Sequence, residues 1–200
     1  MDIQKPTKRP LTLGKALKIG YLRNEKKQAK ALKRFGYRLD SEISDGETFL
    51  TAYNPTTNKL LYISNGTDIM SQKGRSRDLP QDLLLGLGAT KQTKRFEQEK
   101  SALLKAKAKH PTAKVVLAGH SLGSQMTNSI ASGSDRVLNY NPAYSIGQKA
   151  LPNVQNYRTA GDVFSYFAPK QNTIQLPAPE GSSLLKKHEV ANIKDLPVFI

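Results

Sequence analysis

Val115-Val116-Leu117-Ala118-Gly119-His120-Ser121-Leu122-Gly123-Ser124 decides how the chain is read. Four apolar residues suited to a strand run into Gly-x-Ser-x-Gly, and a helix-compatible segment follows. That is the sequence of a nucleophile elbow, in which a strand ends, the backbone turns sharply and a serine is held out at the start of a helix. Gly119 and Gly123 suit such a turn, because strand and helix approach too closely there to admit a Cβ. Ser121 then sits near the positive end of a helix dipole, and the Leu122 N–H can face a developing oxyanion. A plain strand-to-helix turn uses the same letters, so the reading depends on partners elsewhere in the chain.

A serine hydroxyl is a weak nucleophile at neutral pH and needs a base within hydrogen-bond reach, itself oriented by a carboxylate. On this framework the order along the chain is Ser, then Asp or Glu, then His. Of the three histidines, only His188 follows Ser121. His110 reads as a cation closing a helix, and His120, beside the nucleophile, is expected to point away from the active face. Asp135, Asp162 and Glu180 are the carboxylates between Ser121 and His188. Asp135 precedes a strand, at the wrong end of a sheet. Asp162 follows a strand, at the carboxyl edge where the elbow also lies. Ser121, Asp162 and His188 are therefore the candidate catalytic residues. Glu180, in a proline-rich loop eight residues before His188, is held in reserve.

The rest of the chain supplies a frame for these residues. Residues 1–10 read as a loose basic arm, with Pro6 and Pro10 blocking a helix. Leu11 to Tyr37 has helical spacing (Leu13, Leu17, then Ala31 or Leu32 with Phe35) in two pieces around Gly20. Strands are expected at Thr48–Tyr53 and Leu60–Ser64, joined by the turn Asn54-Pro55-Thr56-Thr57-Asn58. A sharp polar turn, Asn65-Gly66-Thr67-Asp68, follows. Residues 69–77 read as an exposed loop and 78–89 as a short helix or buried turn. Gly86-Leu87-Gly88 lacks the third glycine and the lysine–serine pair that cradle phosphate. Thr90 to His110 is the clearest helix, with Phe96, Leu103, Ala106 and His110 on one face and Pro111 closing it. A helix over Gln125–Ser132 and strands over 136–140 and 154–158 follow, and a short strand fits 173–176. This alternation predicts an α/β protein with a mostly parallel central sheet flanked by helices.

Two hundred residues suit one core. There is no cysteine, which excludes disulfides and thiolate chemistry. No apolar run is long enough to span a membrane, and no apolar stretch after Pro10 reads as a signal peptide. The net charge of +15 is unevenly spread: residues 1–38 hold twelve Lys or Arg against Asp2 and Glu25. Such asymmetry points to an anionic partner, first a membrane surface met through residues 1–38 and second nucleic acid.

The ordered set of motifs resembles the class 3 (fungal-type) lipase family of α/β-hydrolases over about residues 45–191. The elbow matches the family's wording. Tyr62-Ile63-Ser64-Asn65-Gly66-Thr67 looks like its strand and oxyanion turn. Asp78 and Asp82 are similar to its acidic segment, Asn139-Tyr140-Asn141-Pro142 to its Gly-x-Pro strand, Arg158 with Gly161-Asp162-Val163 to its catalytic-Asp segment and His188-Glu189-Val190 to its final His motif. The charge distribution marks residues 1–40 as a basic N-terminal segment, and the resemblance implies a lipase-like domain over 41–200 beside it. Ser121 would be the nucleophile, His188 the acid–base and Asp162 its orienter. Thr67 and the Leu122 N–H would be the oxyanion donors. It implies a lipid or other ester as substrate and calls for no metal and no cofactor. Asn65 stands where the family usually has Arg, which leaves that turn without its usual ion pair. Only ten residues separate Thr67 from Asp78, so little or no lid is expected.

Overall fold

The computed structural model describes residues 10–66, 94–144, 149, 151–193 and 197–200. The expectations for residues 1–9, for Thr67, for the 69–89 region, for little or no lid, and for Asp78 and Asp82 lie outside the described residues.

Seven strands form one sheet in chain order: β1 (Arg38–Leu39), β2 (Phe49–Asn54), β3 (Lys59–Ser64), β4 (Lys114–His120), β5 (Arg136–Tyr140), β6 (Val154–Thr159) and β7 (Thr173–Leu176). β1, β2 and β3 pair antiparallel. From β3 to β7 every pair is parallel. The β2–β3 hairpin turns where Asn54 Oδ1 accepts the N–H groups of Thr56 and Thr57. Helix α3 (Lys94–Lys109) lies between β3 and β4, and α4 (Leu122–Ile130) between β4 and β5.

Parallel strands are buried on both faces, so alternate residues serve two cores. Leu61, Ile63, Val116, Ala118, Leu138 and Tyr140 pack with α1 (Leu13–Gly20) and with Leu32 of α2 (Glu25–Lys33). Tyr62, Leu117, Val137 and Val154 pack with Ala102 and Leu103 of α3 on the opposite face. The two N-terminal helices differ. α1 is a core element with six of its eight residues buried, starting after Thr12, whose hydroxyl accepts the Lys15 N–H. α2, capped by Asn24, buries only Gln28 and Leu32, and its lysines face outward. Burying Leu13 and Leu17 completely contributes about 1.5–3 kcal/mol each. The last residues are knitted to the segment leading into α1 by Leu13 N–H to Val198 O (2.8 Å) and Ile200 N–H to Leu11 O (2.9 Å).

Some boundaries differ from the sequence reading. The β1 pairing (Arg38 with Tyr53, Leu39 with Ala52) is too short to leave a periodic signal. α4 begins at Leu122, directly on the elbow, and stops at Ile130, because Ala131 is already extended (ψ 142°). Among the described residues no helix is long and apolar enough to cross a membrane.

Candidate active site

β4 ends at His120 and α4 begins at Leu122, which leaves Ser121 alone to make the turn, with φ 53° and ψ −125°. A non-glycine residue at positive φ stores about 1–3 kcal/mol of strain, so the surroundings must enforce it. They do so by close packing. A Cβ at Gly119 would come within 2.7 Å of Ser124 Cα, and one at Gly123 would run into the Ser64 carbonyl at the end of β3. The elbow is pinned to the end of β5 by the Ser121 N–H to Tyr140 O (3.3 Å) and to the segment after it by the Ala143 N–H to Ser121 O (3.2 Å).

The three candidate residues converge at the carboxyl end of the sheet. His188 Nε2 lies 2.7 Å from Ser121 Oγ, and His188 Nδ1 lies 3.0 and 3.1 Å from the two Asp162 oxygens. An ionised carboxylate only accepts, so Nδ1 carries the ring proton and Nε2 is left to accept from the serine hydroxyl. Ser121, Asp162 and His188 are 1%, 1% and 3% exposed. Burial alone would raise the Asp162 carboxyl, but the hydrogen bond and charge of His188, with help from Ser165 and the Phe164 N–H, outweigh it and hold the group below its usual value. The Phe164 ring covers the imidazole, with centroids 4.6 Å apart. The reserve residue Glu180 is not the carboxylate on His188. Asp135 lies at the amino end of β5, paired to Lys107 at 2.6 Å.

Of the two expected oxyanion donors, Leu122 is the first residue of α4, and Thr67 lies outside the described residues. Gly66, just before it, runs against Ser121 and the His120 carbonyl. The backbone at Asn65 is held by an arginine from α3. Arg95 donates through Nη2 to Asn65 O (2.6 Å) and Ser64 Oγ (3.1 Å), and through Nε to Glu99 Oε1 (2.6 Å). Burial raises Glu99 above its usual value despite the opposing Arg95 charge.

His120 does not touch the serine hydroxyl, yet it is part of the site. Its Nε2–H donates to the His188 carbonyl (2.8 Å). Its Nδ1 therefore accepts, and takes the Tyr21 hydroxyl proton (2.6 Å), while the same hydroxyl oxygen accepts the Gly66 N–H (2.8 Å). Burial, with the neighbouring His188, lowers the His120 imidazole to about 3, so this relay is neutral. It joins the end of α1, the Gly66 backbone and the histidine backbone. Behind the elbow, Asn139 bonds Thr127 and Asn128 of α4 and Asn156 of β6, and Tyr144 accepts from Asn128 and Asn156. No local pattern marks Tyr21, Arg95 or these asparagines, because their partners are distant in sequence.

No family model matches the chain, and no curated protein matches it. Solved structures do. Lip2 lipase from Yarrowia lipolytica aligns with TM-score 0.52 at 11% identity, over 76% of this chain and 70% of that one. A mutant of MDLA from Penicillium cyclopium aligns with TM-score 0.52 at 12% identity, over 84% and 81%. Another fungal lipase aligns with TM-score 0.52 at 12% identity, over 91% and 82%. The chain has a fungal-lipase-like α/β-hydrolase fold, with a seven-stranded, mostly parallel sheet between helices.

Proposed function

We propose that the chain is a serine hydrolase that cleaves carboxylic esters of lipids through an acyl-enzyme. The observation that carries this reading is the buried series Ser121 Oγ, His188 and Asp162, at 2.7 and 3.0 Å, on an elbow held at positive φ. Ser121 Oγ attacks the ester carbonyl while His188 Nε2 takes its proton. The oxyanion meets the Leu122 N–H, with Thr67 as the expected second donor. The tetrahedral intermediate collapses, and the leaving alcohol takes the proton from His188. Water then attacks the acyl-serine, giving its proton to His188. The second intermediate collapses, the carboxylic acid leaves and Ser121 recovers its proton. Asp162 stays ionised throughout and stabilises the imidazolium.

Within this reading the substrate is a triacylglycerol or a phospholipid, the second by phospholipase A1-like action. The net charge of +15 favours an anionic lipid. The test is hydrolysis of p-nitrophenyl esters of increasing chain length, and of phosphatidylglycerol and phosphatidylcholine vesicles, by the parent protein and by Ser121→Ala. Turnover that rises with chain length and vanishes in the variant is expected. A folded parent that hydrolyses none of these esters would overturn the reading. It would leave a non-catalytic protein that binds an anionic membrane or nucleic acid through its basic N-terminus.

A further inference from the structure

We infer that the turn following Asp162 docks the protein on an anionic phospholipid surface, with Val163, Tyr166 and Phe167 entering the lipid and Arg158 receiving a headgroup phosphate. Val163, Tyr166 and Phe167 are 49%, 69% and 41% exposed and stand within five residues of one another. The same turn faces inward through Phe164, which rests on His188, and through the buried Ser165 and Ala168. Its exposed side chains thus form an apolar tip on the turn whose inner side carries the Phe164 ring on His188. A concentration of exposed large apolar groups marks a binding surface, whereas isolated ones do not.

Charge selects the occupant. The Arg158 guanidinium lies 5.9 Å from the Tyr166 ring, and its Nε is buried with no hydrogen-bond partner among the described residues. Lys170 follows the turn and Lys187 precedes His188. Between residues 158 and 170 the single acid is Asp162, buried and engaged with His188. An apolar tip with the Arg158 guanidinium beside it fits an anionic bilayer, where rings and aliphatic stems enter the interface and guanidinium meets phosphate. α1 is too deeply buried to serve as such a surface. The inference takes its purpose from the ester-hydrolase reading, because docking here brings the ester to Ser121. Its test needs no turnover.

Binding is measured in the inert Ser121→Ala protein by co-sedimentation with vesicles of equal phosphatidylglycerol and phosphatidylcholine, and of phosphatidylcholine alone. The expected result is binding to the anionic vesicles that is largely lost in about 1 M salt. Adding Val163→Ser, Tyr166→Ser and Phe167→Ser together weakens it by about tenfold or more. Arg158→Gln weakens it by about fivefold. Reversing the outward charge of α2 (Lys26→Glu, Lys27→Glu, Lys30→Glu) changes it by less than about threefold. If the triple variant does not fold, Tyr166→Ser alone is used, with about a threefold loss expected. The inference is overturned if the parent ignores anionic vesicles, if removing the tip leaves binding unchanged, or if α2 reversal alone abolishes it. It is also overturned if the tip variant only dissolves a dimer in analytical ultracentrifugation. A protein that binds as described but hydrolyses no ester would refute the hydrolase reading and leave the docking surface standing.

Discussion

Asp162 and Tyr21 reach the same histidine by unlike routes. Asp162, 26 residues away in sequence, takes the ring Nδ1–H with a buried charge. Tyr21 acts through His120, 99 residues further along the chain, and arrives at the His188 carbonyl with no charge at all. The carboxylate fixes the tautomer of the ring and, in the proposed reaction, answers the charge the ring gains. The neutral relay fixes where the backbone carrying that ring lies, and ties it to Gly66 after β3. Chemistry and placement are thus supported by separate parts of the fold, and mutation should separate them.

The largest effect is expected on the charged side. Asp162→Asn should lower ester turnover by about 10⁴-fold, with circular dichroism unchanged, because the ring then prefers the wrong tautomer. On the neutral side His120→Asn should act first on stability, costing about 1–3 kcal/mol in denaturant unfolding for the lost buried hydrogen bonds. The sign of its pH dependence follows from the lowered imidazole. The unfolded imidazole binds a proton below about 6.5, and the folded one only near about 3. Between these values the unfolded state holds more protons, so stability rises with pH, by up to about 1.4 kcal/mol per pH unit. His120→Asn should flatten that slope. Asp162 is lowered, so its contribution is present above the usual carboxylate value and is lost only in stronger acid. The two supports should therefore appear as two acid windows. A single transition at the carboxylate value would break the comparison.

Tyr21→Phe is a milder test. It strands the Gly66 N–H and His120 Nδ1, and about a tenfold loss of turnover is expected, equivalent to about 1.4 kcal/mol. Lys30→Gln, on the exposed face of α2, should change stability by less than about 0.5 kcal/mol and turnover not at all.

What was legible in the sequence was whatever local chemistry dictates. The elbow glycines, the Ser–Asp–His order, the β2–β3 hairpin and the break between α1 and α2 each follow from residues close in sequence or from a rule of order. Val116, Leu117 and Ala118 read as a buried strand because both sheet faces are covered. The illegible parts are polar contacts chosen by tertiary geometry. Nothing near Asn65 in sequence points to Arg95, which reaches its carbonyl from the helix behind β3. His120 was expected to turn from the active face, and it does avoid Ser121 Oγ. No nearby residue could announce that its ring nitrogens find Tyr21 and the His188 carbonyl.

The most direct test of the central claim is labelling with a fluorophosphonate, read by intact and peptide mass spectrometry. One equivalent should attach to Ser121, none to Ser121→Ala, and attachment should slow sharply in His188→Ala. A correctly folded parent that takes up no label, or takes it on a residue other than Ser121, would contradict the account.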